Sequence, residues 1–205
     1  MMRCVLFLLF LLSVSARGEE APIVLVLGDS LSAGYGIAPE SAWVTQLQHR
    51  LHEQSYPHIV VNTSISGQTT SGALARLPAL LRQHRPQVAI IGLGGNDGLR
   101  GLPIAQIRSN LQAILDQLAQ SGAEILLIAM RIGPNLGPLY TEKFRQVYAD
   151  LAGEYQVTLA PFLLEGIAEQ SKLMQANGIH PRAEAQMKIL DNVWPALVPL
   201  LLVPQ

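Results

Sequence analysis

Val24-Leu25-Val26-Leu27-Gly28-Asp29-Ser30-Leu31-Ser32 begins as a buried strand and ends in a glycine, an acid and a serine. The residues that follow, Ala33-Gly34-Tyr35-Gly36, are small and turn-prone. Open α/β sheets collect their ligands beyond the carboxyl ends of their strands. Ser30 therefore stands where such a sheet would place chemistry, and the rest of the chain can be searched for its partners.

Outward from this stretch, apolar runs of strand length alternate with longer segments of helical period. Strands are expected at 23–27, 59–61, 87–93, 123–130 and 157–159. Between them, 41–53 carries Trp43, Leu47 and Leu51 at a spacing of four, and 71–84 carries Leu74, Leu77 and Leu81. Such spacings put apolar residues on one face of a helix. A helix over 103–121 has Pro103 suited to its first turn, Gly122 to its stop, and Ile107, Leu111, Ile114, Leu115 and Leu118 as its stripe. Further helices are expected over 140–154 and 181–202. Pro78 is expected to kink its helix, and Pro195 and Pro199 to break theirs. Five strands with helix-length crossovers give an α/β fold with a mainly parallel sheet.

The chain has 205 residues, 14 Lys plus Arg against 15 acids, 49% hydrophobic and 14% charged residues. Disorder is excluded by this composition, and the charge balance lacks the basic surplus of a nucleic-acid binder. Residues 1–16 match a secretory signal peptide: Arg3, a short apolar run, then Val14-Ser15-Ala16 as a small-x-small ending. The run is short for a membrane span, so an N-terminal anchor is the minor alternative. Cleavage would leave one domain over 17–205, exported to a bacterial periplasm or secreted. It would also remove Cys4, the only cysteine, and with it any disulfide or cysteine-held metal.

Four stretches in loops or at strand ends carry chemistry: Gly28-Asp29-Ser30, Ser66-Gly67-Gln68, Gly94-Gly95-Asn96-Asp97 and Asn177-Gly178-Ile179-His180-Pro181. Each alone reads as an ordinary cap, turn or surface loop. Together, Ser30, Gly67, Asn96 and His180 resemble in their order the SGNH hydrolases, the GDSL-type esterases. Ala33-Gly34-Tyr35, Ala75-Arg76-Leu77-Pro78-Ala79-Leu80-Leu81 and Gly94-Gly95-Asn96-Asp97-Gly98-Leu99-Arg100-Gly101 are similar to the periplasmic acyl-CoA thioesterase I / protease I / lysophospholipase group of that family.

That resemblance implies a three-layer α/β/α sandwich with a five-stranded flavodoxin-like sheet. Ser30 would attack an ester or thioester carbonyl while His180 relays its proton. The N–H groups of Ser30 and Gly67 and the Asn96 amide would form the oxyanion hole, with no metal or cofactor. The family expects an aspartate three residues before the histidine, where this chain has Asn177. An amide brings no charge to the imidazole and, turned inward, favours the wrong tautomer. Three readings of Asn177 compete: a weak Ser–His dyad, recruitment of another acid, or deamidation at the Asn177-Gly178 pair. Gln68 stands where relatives tend to have an acid, and Leu136 replaces an aromatic wall.

Leu99, Leu102, Ile132, Leu136 and Tyr140 are the expected acyl-binding residues, and the resemblance implies that 98–103 is a mobile substrate loop. Medium- to long-chain acyl esters and thioesters follow as small-molecule substrates, lysophospholipids among them. Alternatives are a carbohydrate acetylesterase, which would want more than the 5% aromatics present, and a non-catalytic lipid-binding module with a decayed site. An α/β-hydrolase is disfavoured because Gly28-x-Ser30-x-Ser32 lacks the second glycine of the elbow motif. The apolar C-terminal run around Trp194 is expected to close the core, and a membrane-surface role lacks the basic flank it would need.

Overall fold

The computed structural model describes residues 21–202. The expected signal peptide, its cleavage point, Cys4 and the last three residues lie outside that range. The strands are β1 (Ile23–Gly28), β2 (Ile59–Asn62), β3 (Val88–Gly92), β4 (Glu124–Ile128) and β5 (Thr158–Ala160). They form one sheet in the order β2-β1-β3-β4-β5. Every pairing is parallel, so the mainly parallel sheet expected from the sequence is wholly so among the described strands. β1 and β3 are apolar almost throughout because each has neighbours on both edges and helices over both faces.

The helices are α1 (Ser30–Ala33), α2 (Trp43–Glu53), α3 (Thr70–His84), α4 (Gly95–Leu99), α5 (Ile104–Ser121), α6 (Pro138–Tyr155) and α7 (Gln186–Leu201). The step from β1 to β2 runs one way across the sheet and the later steps run the other way. Right-handed crossovers then place α2 on one face and α3, α5 and α6 on the opposite one. The contacts agree: α3 packs on α5, α5 on α6, and α2 on α7. The five stripe residues expected on α5 are all buried, as are Trp43, Leu47 and Leu51 on α2.

α1 and α4, short helices directly after β1 and β3, are too brief to show a period and were not legible as helices. Pro78 sits inside an α3 that runs on past it. Pro195 and Pro199 do not break α7, contrary to expectation. The reason is packing. Ile189, Leu190, Val193, Leu197, Leu200 and Leu201 are buried along that helix, and this burial outweighs a propensity cost of about 3 kcal/mol per proline. α7 also begins later than expected. Pro181 instead pairs with Met174 in an isolated antiparallel bridge, and Ala183–Ala185 form a 3₁₀ turn. Gln186 then accepts the Trp43 N–H at 3.0 Å, tying the start of α7 to the start of α2. Among the described residues, no helix is long and apolar enough to cross a membrane.

The β1–α1 turn leaves no room for a side chain at Gly28. A Cβ there would lie 2.8 Å from Ser32 Oγ, 2.9 Å from Ser32 Cβ and 3.0 Å from Ser64 Oγ. Gly28→Ala should therefore lower stability by about 1–3 kcal/mol through overpacking. Urea unfolding checks this, and an unchanged midpoint would mean that the turn yields freely.

Candidate active site

β1 ends at Gly28, and the chain turns at once into α1 because Asp29, in extended conformation, caps that helix. Its Oδ1 accepts the Leu31 N–H at 3.0 Å. Ser30 is the first residue of α1 and is half-buried. Its Oγ lies 2.8 Å from His180 Nε2, a contact made across 150 positions of sequence.

Asn96 comes from α4, which follows β3. Its Nδ2 donates to the Gln68 carbonyl at 3.0 Å and lies 3.4 Å from Asp29 Oδ2. Gly67 precedes that carbonyl. It is exposed, with φ +79° and nothing within 4 Å of the place where a Cβ would stand, so the turn there is open to an incoming group. Asp97 is fully buried and does not cap its own helix. Its carboxylate accepts the Thr70 hydroxyl at 2.6 Å and the Thr70 N–H at 3.0 Å, clamping the start of α3 to α4.

The loop carrying His180 is held at its base. Gln175 Nε2 donates to the carbonyls of Tyr35 (2.8 Å) and Pro181 (2.9 Å). Its backbone N–H donates to the His180 carbonyl at 2.8 Å. The Tyr35 ring lies 4.4 Å from the imidazole, centroid to centroid. The sequence did not mark Tyr35 or Gln175 as supports for His180: Tyr35 lies in a motif stretch 145 positions away, and Gln175, though five residues before the histidine, acts through a side chain that reaches back to the Tyr35 carbonyl.

Asn177 reaches the imidazole from below. Its Oδ1 accepts two backbone N–H groups, those of Ile179 and His180, each at 3.0 Å. These two donors assign the amide orientation, because a flip would set NH₂ against them. Nδ2 therefore faces His180 Nδ1, at 3.0 Å. An NH₂ group only donates, so Nδ1 carries the lone pair and the neutral ring holds its proton on Nε2, pointing at Ser30. A histidine that is to take the serine proton needs the opposite tautomer. Partial burial also pushes the His180 pKa below its usual 6.5.

A cavity of about 440 Å³ opens beside Ser30, Asn96 and His180. Leu99, Met130, Ile132, Phe162, Met174 and Ile179 give it an apolar lining. Of the five expected acyl-binding residues, Leu99 and Ile132 line it and the other three do not. The Tyr140 hydroxyl donates to the Leu102 carbonyl at 2.6 Å, while Leu102 packs on the core. Leu136 lies over Gly101, whose Cβ would be 3.6 Å from it. Tyr140 and Leu136 thus contact the 98–103 loop, at Leu102 and Gly101. Phe162 and Met174 belong to the segment after β5, where the sequence shows no helical or strand period to reveal a facing wall. Among the described residues, no group of three or more His, Cys, Asp or Glu gathers as a metal site.

Burial pushes the Asp29 carboxyl up to about 6, against the lowering effect of the Leu31 N–H; the nearby Asp97 charge adds to the rise. Between about pH 4 and 6 the folded protein holds a proton that the unfolded chain has lost. Stability from this group is thus complete at low pH and declines as pH rises through that window. Asp29→Asn should remove the decline, a difference on the order of 3 kcal/mol between pH 4 and pH 7. Urea midpoints across pH check it, and parallel curves for parent and variant would contradict it.

Residues 26–188 match the family model described as the GDSL-like Lipase/Acylhydrolase family. The chain is 48% identical over 181 residues to "Esterase TesA" of Pseudomonas aeruginosa, covering 88% of this chain and 90% of that protein. It is 42% identical over 193 residues to "Thioesterase 1/protease 1/lysophospholipase L1" of Escherichia coli K12, covering 94% and 91%. A solved structure, "Crystal Structure of TesA", superposes with a TM-score of 0.84 at 47% identity, covering 87% of this chain and 99% of that one. With a serine and a histidine joined at the mouth of an apolar cavity on this sheet, the chain belongs to the GDSL-like lipase/acylhydrolase family, and its chemistry is that of a serine ester hydrolase.

Proposed function

We propose that this protein is an esterase and thioesterase that cleaves medium- to long-chain acyl esters, aryl esters and lysophospholipids among them, through an acyl-serine intermediate on Ser30. The observation that carries the reading is the 2.8 Å contact between Ser30 Oγ and His180 Nε2 beside an apolar cavity. Ser30 attacks the carbonyl, His180 takes its proton and passes it to the departing alcohol or thiol, and water then releases the acid. The Ser30 and Gly67 N–H groups and the Asn96 amide receive the oxyanion. The apolar cavity supports an acyl chain rather than an acetyl group as the acid part. Residues 1–16 act as an export signal, which sends the 17–205 domain to the periplasm or out of the cell.

Asn177 weakens this machinery. Before the base can act, the imidazole must leave the tautomer that the Asn177 NH₂ favours, and the imidazolium then forms with no anion beside it. Recruitment of another acid has no support: the side-chain partners of His180 are Ser30 and Asn177, while Asp29 and Asp97 serve Leu31, Asn96 and Thr70.

Hydrolysis of p-nitrophenyl esters of graded chain length tests the proposal, using protein whose Asn177 amide is verified intact by peptide mass. Ser30→Ala should abolish turnover. Asn177→Asp should raise kcat by as much as about 10⁴-fold, the loss seen when a protease triad acid becomes an amide. The new carboxylate favours the imidazolium, so the acidic limb of kcat/KM should also move to higher pH than in the parent. Equal rates and equal limbs would refute a limiting role for Asn177. Absence of Ser30-dependent turnover in both forms would favour the binding module instead.

Exposed apolar groups surround the cavity mouth, with Ile179 46% and Leu99 53% exposed. Esters with longer acyl chains should therefore show lower KM than acetyl esters. A preference for acetyl over every longer chain would argue against an acyl groove.

A further inference from the structure

The Asn177 side chain is itself surrounded by the parts of a hydrolytic site. Its carbonyl oxygen accepts the Ile179 and His180 N–H groups at 3.0 Å each, the arrangement that stabilises an oxyanion. Its nitrogen, the leaving group of an amide hydrolysis, lies 3.0 Å from His180 Nδ1. Nδ1 carries a lone pair there, so it can take a proton and return it. Asn177, Gly178 and Ile179 are all exposed, and nothing lies within 4 Å of where a Gly178 Cβ would be, so water reaches the amide.

We propose that Asn177 is a self-processing site, at which water hydrolyses the side-chain amide to a carboxylate with His180 as proton relay, converting a weak dyad into a complete Ser30–His180–Asp triad. The water oxygen bonds to Asn177 Cγ while His180 Nδ1 takes a water proton. Negative charge forms on Oδ1 between the two backbone N–H groups. His180 then returns the proton to Nδ2, the Cγ–Nδ2 bond breaks, and ammonia leaves, to be protonated by the new acid. One amide and one water become one carboxylate and one ammonium ion.

Asn-Gly pairs also deamidate by a second route, attack of the following backbone nitrogen to give a cyclic imide. Here the Gly178 N–H donates to the Gln175 carbonyl at 2.9 Å, within a turn whose base is closed by the Met174–Pro181 bridge. That hydrogen bond holds the nitrogen away from its nucleophilic role. Direct attack by water leaves the backbone unaltered, so the product is normal aspartate. In the product, one oxygen keeps the two backbone N–H groups and the other accepts the proton of His180 Nδ1. The benefit to esterase activity rests on the hydrolase reading above; the amide hydrolysis does not.

The test is incubation of freshly prepared full-length protein at neutral pH, with peptide mapping over time. The peptide holding Asn177 should gain about one dalton as NH₂ becomes OH, with normal rather than iso-aspartate, and well before the peptide holding Asn135, which is also exposed. His180→Ala should slow the conversion at least tenfold, since a positioned acid–base group contributes typically about 10²–10⁴-fold. Ser30→Ala, inactive as an esterase, should still convert. A 177 peptide that stays unmodified, conversion at the Asn135 rate, an iso-aspartate mixture, or a His180→Ala variant that converts at the parent rate would each overturn the proposal. Because the Ser30→Ala readout is mass alone, failure of the esterase reading leaves this result separately legible.

Discussion

The position of β1 between β2 and β3 governs this molecule. β1 pairs with β2 through Val26↔Asn62 and with β3 through Gly28↔Gly92, and the order of strand addition reverses at this point. Connections leaving β1 and β3 must therefore part to opposite faces and open a crevice at their carboxyl ends. Ser30 and Asn96 flank that crevice, on short helices that each begin within two or three residues of a strand end. Asp29 and Asp97 then act as ties. One caps α1 and approaches Asn96; the other holds the entry to α3 on α4. Both acids are almost wholly buried, and a buried carboxyl without such donors would be costly.

His180 has no strand end to fix it, so its loop is secured by other means. The Met174–Pro181 bridge, the Gln175 amide and the Tyr35 ring together give an irregular segment the rigidity a relay needs. This support comes from both sides of the crevice. Tyr35 follows the nucleophile's helix, and Gln175 reaches back to Tyr35, so the two halves of the dyad share one brace.

The sequence carried the strands, the long helices and the order of the four motif residues, because each is a local pattern: an apolar run, a period, or a short string at a strand end. It carried the identity of Asn177 but not the orientation of its amide, which depends on the two backbone donors of a turn that no periodicity describes. Leu102, Leu136 and Tyr140 stand outside the lining of the cavity, and a local pattern could not show this. Their sequence positions do not reveal that Tyr140 donates to the Leu102 carbonyl or that Leu136 lies against Gly101. The opposing wall, Phe162 and Met174, comes from the aperiodic stretch between β5 and α7. Pro195 and Pro199 misled in the other direction, since local propensity yielded there to six buried side chains.

Position 177 departs from the usual conflict between stability and activity, in which a working site is strained and its relief costs function. Three groups converge on this side chain: two backbone N–H donors and the imidazole Nδ1. A carboxylate would satisfy all three, with hydrogen bonds to an anion roughly twice as strong as those to a neutral amide. It would hold the turn more firmly, set the imidazole tautomer and offset the positive charge that forms during the reaction. An amide satisfies the two backbone donors more weakly and forces the third group to reverse its role. The turn around residue 177 is thus built for an anion, and for this one side chain the change that would stabilise the loop is the same one that would complete the relay.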